Sequence, residues 1–309
     1  STAPSNVLIK PSGGFGNDSF TPNQLVASTN SAIYTAWTDT RRGNTATAKQ
    51  DIFSATVYLN GEGGYRTVAS GGAVQSFGDA ANLGAPSTTS AAIVGVASTS
   101  DGRGYWEVGA DGSVYPFGDA GNFGSLAGIH LNAPIVGIAA APDGGGYWLV
   151  ASDGGVFTFG DASYFGSTGN VHLNKPIVGV VATPDGKGYL LVASDGGIFT
   201  FGDASFFGSL GATHLNAPIV GAASTPDGGG YWLVASDGGV FTFGDAGYFG
   251  SGAASALTTK VAGIAATLDG GGYLLVGANG SVLTFGDAVS LGSGNASASA
   301  PAVAIATTP

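Results

Sequence analysis

A block reading Gly-Tyr-Trp-Leu-Val-Ala-Ser-Asp-Gly-Gly-Val-Phe-Thr-Phe-Gly-Asp-Ala recurs six times with small changes, its tyrosine falling at Tyr65, Tyr105, Tyr147, Tyr189, Tyr231 and Tyr273. The spacings are 40, 42, 42, 42 and 42 residues. A fixed period of that size, in a chain holding 56 glycines and only short apolar runs, is the signature of repeat architectures. In these each unit buries its apolar faces only against its neighbours.

One period can be read strand by strand, taking the third copy. Pro134-Ile135-Val136-Gly137-Ile138-Ala139 is a short apolar run bounded by turns, as a strand buried on both faces would be. Pro142-Asp143-Gly144 turns the chain into a second strand, Tyr147-Trp148-Leu149-Val150-Ala151. Asp153-Gly154 supplies a tight hairpin into Val156-Phe157-Thr158-Phe159, and Tyr164-Phe165 suits a short outer strand. Four strands in about 42 residues is the size of one β-propeller blade. The first strand fits the innermost position, because its centre is small in every copy: Gly95, Gly137, Gly179, Gly221, Gly263 and Ala304. A right-handed β-helix is the main competitor, but its rungs are shorter and need no hairpin inside each repeat.

The ends of the repeat region are complementary. The copy around Tyr65 has no inner strand before it, whereas Pro301-Ala302-Val303-Ala304-Ile305-Ala306-Thr307 is an inner strand with nothing after it. The expected fold is therefore all-β: a six-bladed propeller over residues 61–309, closed by the C-terminal strand within 300–309. Residues 1–60 form an N-terminal β arm, with strands expected at 24–28, 32–39 and 51–57; a seventh blade built from residues 20–60 is the alternative. Three short strands are marginal alone and need a partner surface.

Composition narrows the function. Charged residues make up 9% of the chain, against roughly 25% in typical soluble domains. Yet no apolar run approaches the ~18 residues of a membrane span. The net charge of −11 is uneven: residues 1–60 carry +1 and the remainder −12, with five basic residues. That acidity argues against nucleic acid or anionic membranes as partners. Cys and Met are both absent, which suits an oxidising, extracellular life. With no initiator methionine, Ser1 is expected to be a processed or internal start, and Ser1-Thr2-Ala3-Pro4 would suit the residues left after signal-peptide cleavage.

Candidate sites are repeated rather than singular. Asp79, Asp119, Asp161, Asp203, Asp245 and Asp287 occupy one position in every copy, and Asx-type turns accepting backbone N–H groups explain them best. Calcium needs 6–8 oxygens at about 2.4 Å, which one carboxylate per blade cannot gather. The hairpin aspartates Asp153, Asp195 and Asp237 and the turn aspartates Asp143, Asp185, Asp227 and Asp269 have the same structural reading. His130, His172 and His214 recur in three successive copies, too far apart for a zinc ion that wants every nitrogen about 2.0 Å away. Trp106, Trp148 and Trp232 alternate with Leu190, Leu274 and Arg66 at one position and read as packing between sheets. Tyr164, Phe206 and Tyr248, nearer the outer edge, are the candidate sugar-stacking rings. Nucleophilic catalysis needs unlike residues gathered at one place. Here the histidines repeat and the two glutamates, Glu62 and Glu107, are scattered. No enzyme activity, metal or cofactor is expected, and each of these glutamates and histidines should be replaceable with little effect on the fold.

The repeat Pro-Ile-Val-Gly-Ile-Ala…Pro-Asp-Gly-Gly-Gly-Tyr-Trp-Leu-Val-Ala-Ser-Asp-Gly-Gly-Val-Phe-Thr-Phe-Gly-Asp-Ala, over residues 61–309, resembles the glycine-rich repeat of secreted actinobacterial proteins. That resemblance implies a secreted, propeller-like module and brings no assigned chemistry. The stretch Tyr34-Thr35-Ala36-Trp37-Thr38-Asp39-Thr40-Arg41-Arg42-Gly43-Asn44…Gln50-Asp51-Ile52-Phe53 is similar to a blade of the sialidase-like propeller repeats. Sialidase activity does not follow, because such enzymes use an arginine cluster and a Tyr/Glu pair.

Two functions are expected from these readings. The first is an extracellular or cell-surface structural protein that self-associates, head to tail into filaments, through its arm. Tyr34, Trp37, Ile52 and Phe53 would be its apolar anchors, and Arg41 and Arg42 would meet acidic turns. Outer edges without lysine guards favour it. The second is a multivalent carbohydrate- or cell-wall-binding module with one weak subsite per blade.

Overall fold

The computed structural model describes residues 25–28, 32–39, 51–58, 63–254 and 259–308. The chain divides into two units, Ser1–Leu59 and Asn60–Pro309. The first contains one antiparallel sheet in the order β1 (Leu25–Ser28), β2 (Ala32–Asp39), β3 (Asp51–Tyr58). Tyr34 and Trp37 lie on β2, with Trp37 opposite Phe53 and Thr38 opposite Ile52 on β3. Arg41 and Arg42 lie outside the described residues.

The second unit is six three-stranded antiparallel sheets, an arrangement consistent with a six-bladed propeller. It begins with β4 (Gly64–Ala69) and β5 (Val74–Gly78). Sheet 2 is β6 (Ile93–Ser98), β7 (Gly104–Gly109) and β8 (Val114–Gly118), and sheet 3 is β9 (Ile135–Ala140), β10 (Gly146–Ala151) and β11 (Val156–Gly160). Sheet 4 follows as β12 (Ile177–Ala182), β13 (Gly188–Ala193) and β14 (Ile198–Gly202), and sheet 5 as β15 (Ile219–Ser224), β16 (Gly230–Ala235) and β17 (Val240–Gly244). Sheet 6 is β18 (Val261–Ala266), β19 (Gly272–Gly277) and β20 (Val282–Gly286). The last strand, β21 (Ala302–Thr308), pairs along β4, so sheet 1 runs β21-β4-β5 and joins both ends of the repeat region.

The middle strand of each of sheets 3 to 6 is a continuous apolar run because a neighbouring sheet covers each face. Side chains alternate along it. Trp106 and Val108 of sheet 2 meet Tyr147 and Leu149 of sheet 3, and Trp148 and Val150 of sheet 3 meet Tyr189 and Leu191 of sheet 4. Each such large side chain contributes roughly 2–3 kcal/mol through the apolar surface it removes from water. Hydrogen bonds tie the hairpin of each sheet to the first strand of the next, at 2.8–2.9 Å. The donors are Ile93, Ile135, Ile177, Ile219, Val261 and Ala302, and the acceptors Ser70, Ala110, Ser152, Ser194, Ser236 and Ala278.

Two local expectations change. Tyr164-Phe165 forms no strand, and the sheets have three strands rather than four. The cause is the next sheet. The Phe165 ring packs 5.7 Å from the Tyr189 ring, and the Phe165 and Gly166 N–H groups donate to the Tyr189 hydroxyl at 3.2 and 3.1 Å, which carries this segment across the gap instead of along β11. The hairpin is also longer than a two-residue Asp-Gly turn. Ala151 N–H bonds to Gly155 O and Gly154 N–H to Ala151 O, both at 2.8 Å, with Gly154 at φ +80°. That is a three-residue loop ending in a left-handed glycine. Finally, the small residue at the centre of the first strand follows a β-bulge. In sheet 3 the register slips so that Gly137 faces Val150 while Ile135 faces Ala151. A methyl at Gly137 would stand 3.5 Å from the Gly179 Cα, and one at Gly221 3.5 Å from the Gly263 Cα, so these glycines lie against one another in successive first strands.

Candidate functional site

All six repeat tyrosines are buried and donate their hydroxyl protons to a glycine carbonyl in the segment leaving the preceding sheet. The acceptors are Gly292, Gly84, Gly124, Gly166, Gly208 and Gly250 for Tyr65, Tyr105, Tyr147, Tyr189, Tyr231 and Tyr273. Tyr65 reaches Gly292 at 2.5 Å, which fastens sheet 1 to the segment leaving sheet 6. The tryptophans act beside them. Trp106, Trp148 and Trp232 donate their indole N–H to Gly121, Ser163 and Gly247 O at 2.7–2.8 Å. These groups brace neighbouring sheets and offer no surface to a ligand.

The turn between the first and second strands and the end of the third strand meet at the same end of each sheet. There, in sheets 2 and 6, the turn and Gly-Asp-Ala carboxylates converge on one threonine. Thr267 Oγ1 lies 2.9 Å from Asp269 Oδ1 and 3.4 Å from Asp287 Oδ1. Thr99 bridges Asp101 and Asp119 in the same way, at 2.9 and 3.5 Å. The expected Asx turns exist at the turn aspartates, as in Asp143 Oδ1 accepting Gly145 N–H at 3.1 Å, and at the hairpins, as in Asp153 accepting Gly155 N–H at 2.9 Å. The Gly-Asp-Ala carboxylates Asp119, Asp245 and Asp287 instead face the threonine hydroxyl. Burial and then the nearby Asp269 charge push Asp287 up, while the Gly271 N–H and the Thr267 hydroxyl pull Asp269 down. Asp185 is held down at about 2 by the Lys187 ammonium, 3.0 Å away, and by the Lys187 N–H. Among the described residues no three His, Asp or Glu side chains gather as a metal site.

Tyr164, Phe206 and Tyr248 are 60%, 59% and 62% exposed. They stand three residues beyond Asp161, Asp203 and Asp245, which are exposed too. Their neighbours Phe165, Phe207 and Phe249 turn inward onto Tyr189, Tyr231 and Tyr273. Sheets 3, 4 and 5 thus present three rings in series beside three carboxylates. His130, His172 and His214 are exposed as well, in the segments leading to the next first strand.

One place is not repeated. Arg66 occupies the tryptophan position of sheet 1 and Glu107 the leucine position of sheet 2, on the faces these sheets turn towards each other. Both are fully buried. Arg66 imitates the indole: its Nε and Nη2 reach Ala81 O at 3.4 and 3.3 Å, Nη2 reaches Gly102 O at 3.0 Å, and the guanidinium lies 5.0 Å from the Tyr105 ring centre. Burial lowers its pKa. Neither Glu107 oxygen has a hydrogen-bond partner, and burial pushes its carboxyl up to about 8. Glu107, read from the sequence as a scattered acid, is thus buried between two sheets. Its signal in the sequence was a glutamate where the other full copies carry Leu149, Leu191, Leu233 and Leu275. Glu62 lies outside the described residues. In comparisons with known proteins, no family model and no curated protein matched the chain.

Proposed function

We propose that the second unit is a six-bladed propeller closed by β21, and that the protein is a non-enzymatic, extracellular structural protein that associates with copies of itself through its N-terminal arm. One observation carries the self-association. Each repeat sheet ends on its third strand, and the segment that would have covered that edge crosses to the next sheet instead. Unpaired edges without charged guards are templates for an added strand. Three edges, β11, β14 and β17, are uniform Val/Ile-Phe-Thr-Phe-Gly runs. The others are modified: β8 contains Pro116, the Val282 N–H of β20 donates to Ser293 Oγ, and Gln75 of β5 binds the Asn295 N–H. The arm carries +1 and the body −12, a difference in sign that favours a head-to-tail contact over body on body. Six hydrogen-bonded junctions of one kind, sheet 6 to β21 included, support closure over a seven-bladed ring. The absence of Cys and Met and the resemblance to secreted repeats support an extracellular setting. Against catalysis, Glu107, the carboxyl most shifted towards neutral pH among the described residues, is sealed from substrate. Electron microscopy of the native chain should show multi-subunit assemblies; a field of separate single rings would contradict the proposal.

A second reading has its own support in the exposed rings of Tyr164, Phe206 and Tyr248 beside carboxylates, an arrangement that can stack on sugar faces and accept their hydroxyl protons. Retention on insoluble cell-wall polysaccharide should then fall at least tenfold when all three are changed to alanine. Equal retention of the triple variant would dismiss it.

A further inference from the structure

Five apolar clusters join sheets 2 to 3, 3 to 4, 4 to 5, 5 to 6 and 6 to 1. Between sheets 1 and 2 the corresponding strand faces hold Arg66 and Glu107 in place of tryptophan and leucine. This is the interface next to sheet 1, where β21 meets β4. We propose that it is a pH-sensitive seam, tight while Glu107 is protonated and loosened when Glu107 ionises.

The argument rests on what surrounds the carboxyl. From β4 the only charged group is Arg66: its Nε and Nη2 are directed to the Ala81 and Gly102 carbonyls and its plane to Tyr105, while its Nη1 is buried without a partner and makes no hydrogen bond to Glu107. On β7 itself the ionisable neighbour is Tyr105, whose hydroxyl is bound to Gly84 O and pushed up to about 12 by burial and then by Glu107. On β8 it is Tyr115, cross-strand from Glu107, whose oxygen accepts the Ser90 N–H at 3.1 Å. Strands β6 and β21 carry no ionisable side chain. As packed, no donor in this shell reaches either Glu107 oxygen, and a buried unpaired charge is among the costliest groups a fold can hold. The neutral acid is tolerated.

The sign follows from linkage. A carboxyl whose folded pKa lies above its unfolded value contributes stability that is fully present below the unfolded value and lost as pH rises through the folded one. For Glu107 the window runs from about 4.5 to about 8. Every other ionisable group is common to wild type and variant, so the difference between the two isolates Glu107.

The test uses the full chain. It contains only two glutamates, so selective carbon-13 labelling of glutamate carboxyls gives two resonances, and E107Q assigns one of them. The expected result is that this resonance titrates at least two pH units above the other. The wild-type melting temperature should also fall by several degrees more than that of E107Q between pH 5 and 8.5. E107L, which restores the repeat residue, should match E107Q in its pH dependence. Amides of β4 and β7 should exchange faster, relative to those of sheets 3 and 4, at the higher pH in wild type only. A Glu107 resonance in the ordinary carboxylate range, or an E107Q profile that parallels wild type, would overturn the seam.

Discussion

Tyr189 shows how a single residue holds two sheets. Its ring is buried between Trp148 and Phe165, its hydroxyl donates to Gly166 O at 2.6 Å, and the same oxygen accepts the Phe165 and Gly166 N–H groups. Tyr189→Phe keeps the ring and strands these backbone groups, so it should cost about 1–3 kcal/mol, measured as a lower urea midpoint. An unchanged midpoint would deny the hydroxyl any role. Residues of this kind are legible in the sequence, because a tyrosine followed by tryptophan or leucine at a fixed period on an apolar strand has to lie between layers. Glu107 was less legible. Its chemistry comes from stacking against a sheet that carries Arg66, and nothing within its own strand announces that the guanidinium there makes no hydrogen bond to it.

At the scale of the element, the strand positions and the pairing of β21 with β4 follow from apolar runs, turn residues and the complementary ends of the repeat. The outer strand did not follow. Tyr164-Phe165 has strand-like residues, but the choice between pairing with β11 and crossing to sheet 4 is made by the Tyr189 hydroxyl, which belongs to the next repeat. The importance of β21 is open to test. Deleting residues 300–309 removes the buried Ala302 and Ile305 and bares one edge of β4. A buried isoleucine alone is worth about 2–5 kcal/mol, so the truncated chain should melt well below the full one or lose its cooperative transition. Identical melting curves would mean that β21 is dispensable and the ring does not need it.

For the molecule as a whole, repetition explains the fold and leaves function to the places where repetition fails or surfaces stay unpaired. The acidic body, the unguarded edges of sheets 3 to 5 and the separate three-stranded N-terminal sheet support assembly more than catalysis. Strand pairing and apolar burial, rather than charge, would supply its strength, so the assembly should survive moderate salt. The most direct test is sedimentation velocity of the full chain and of residues 61–309, over a range of concentrations at 0.15 and 0.5 M salt. The account predicts that the full chain sediments as large species at both salt concentrations, whereas residues 61–309 sediment as a folded monomer. A full chain that stays monomeric at high concentration, or a truncated chain that assembles equally well, would contradict it.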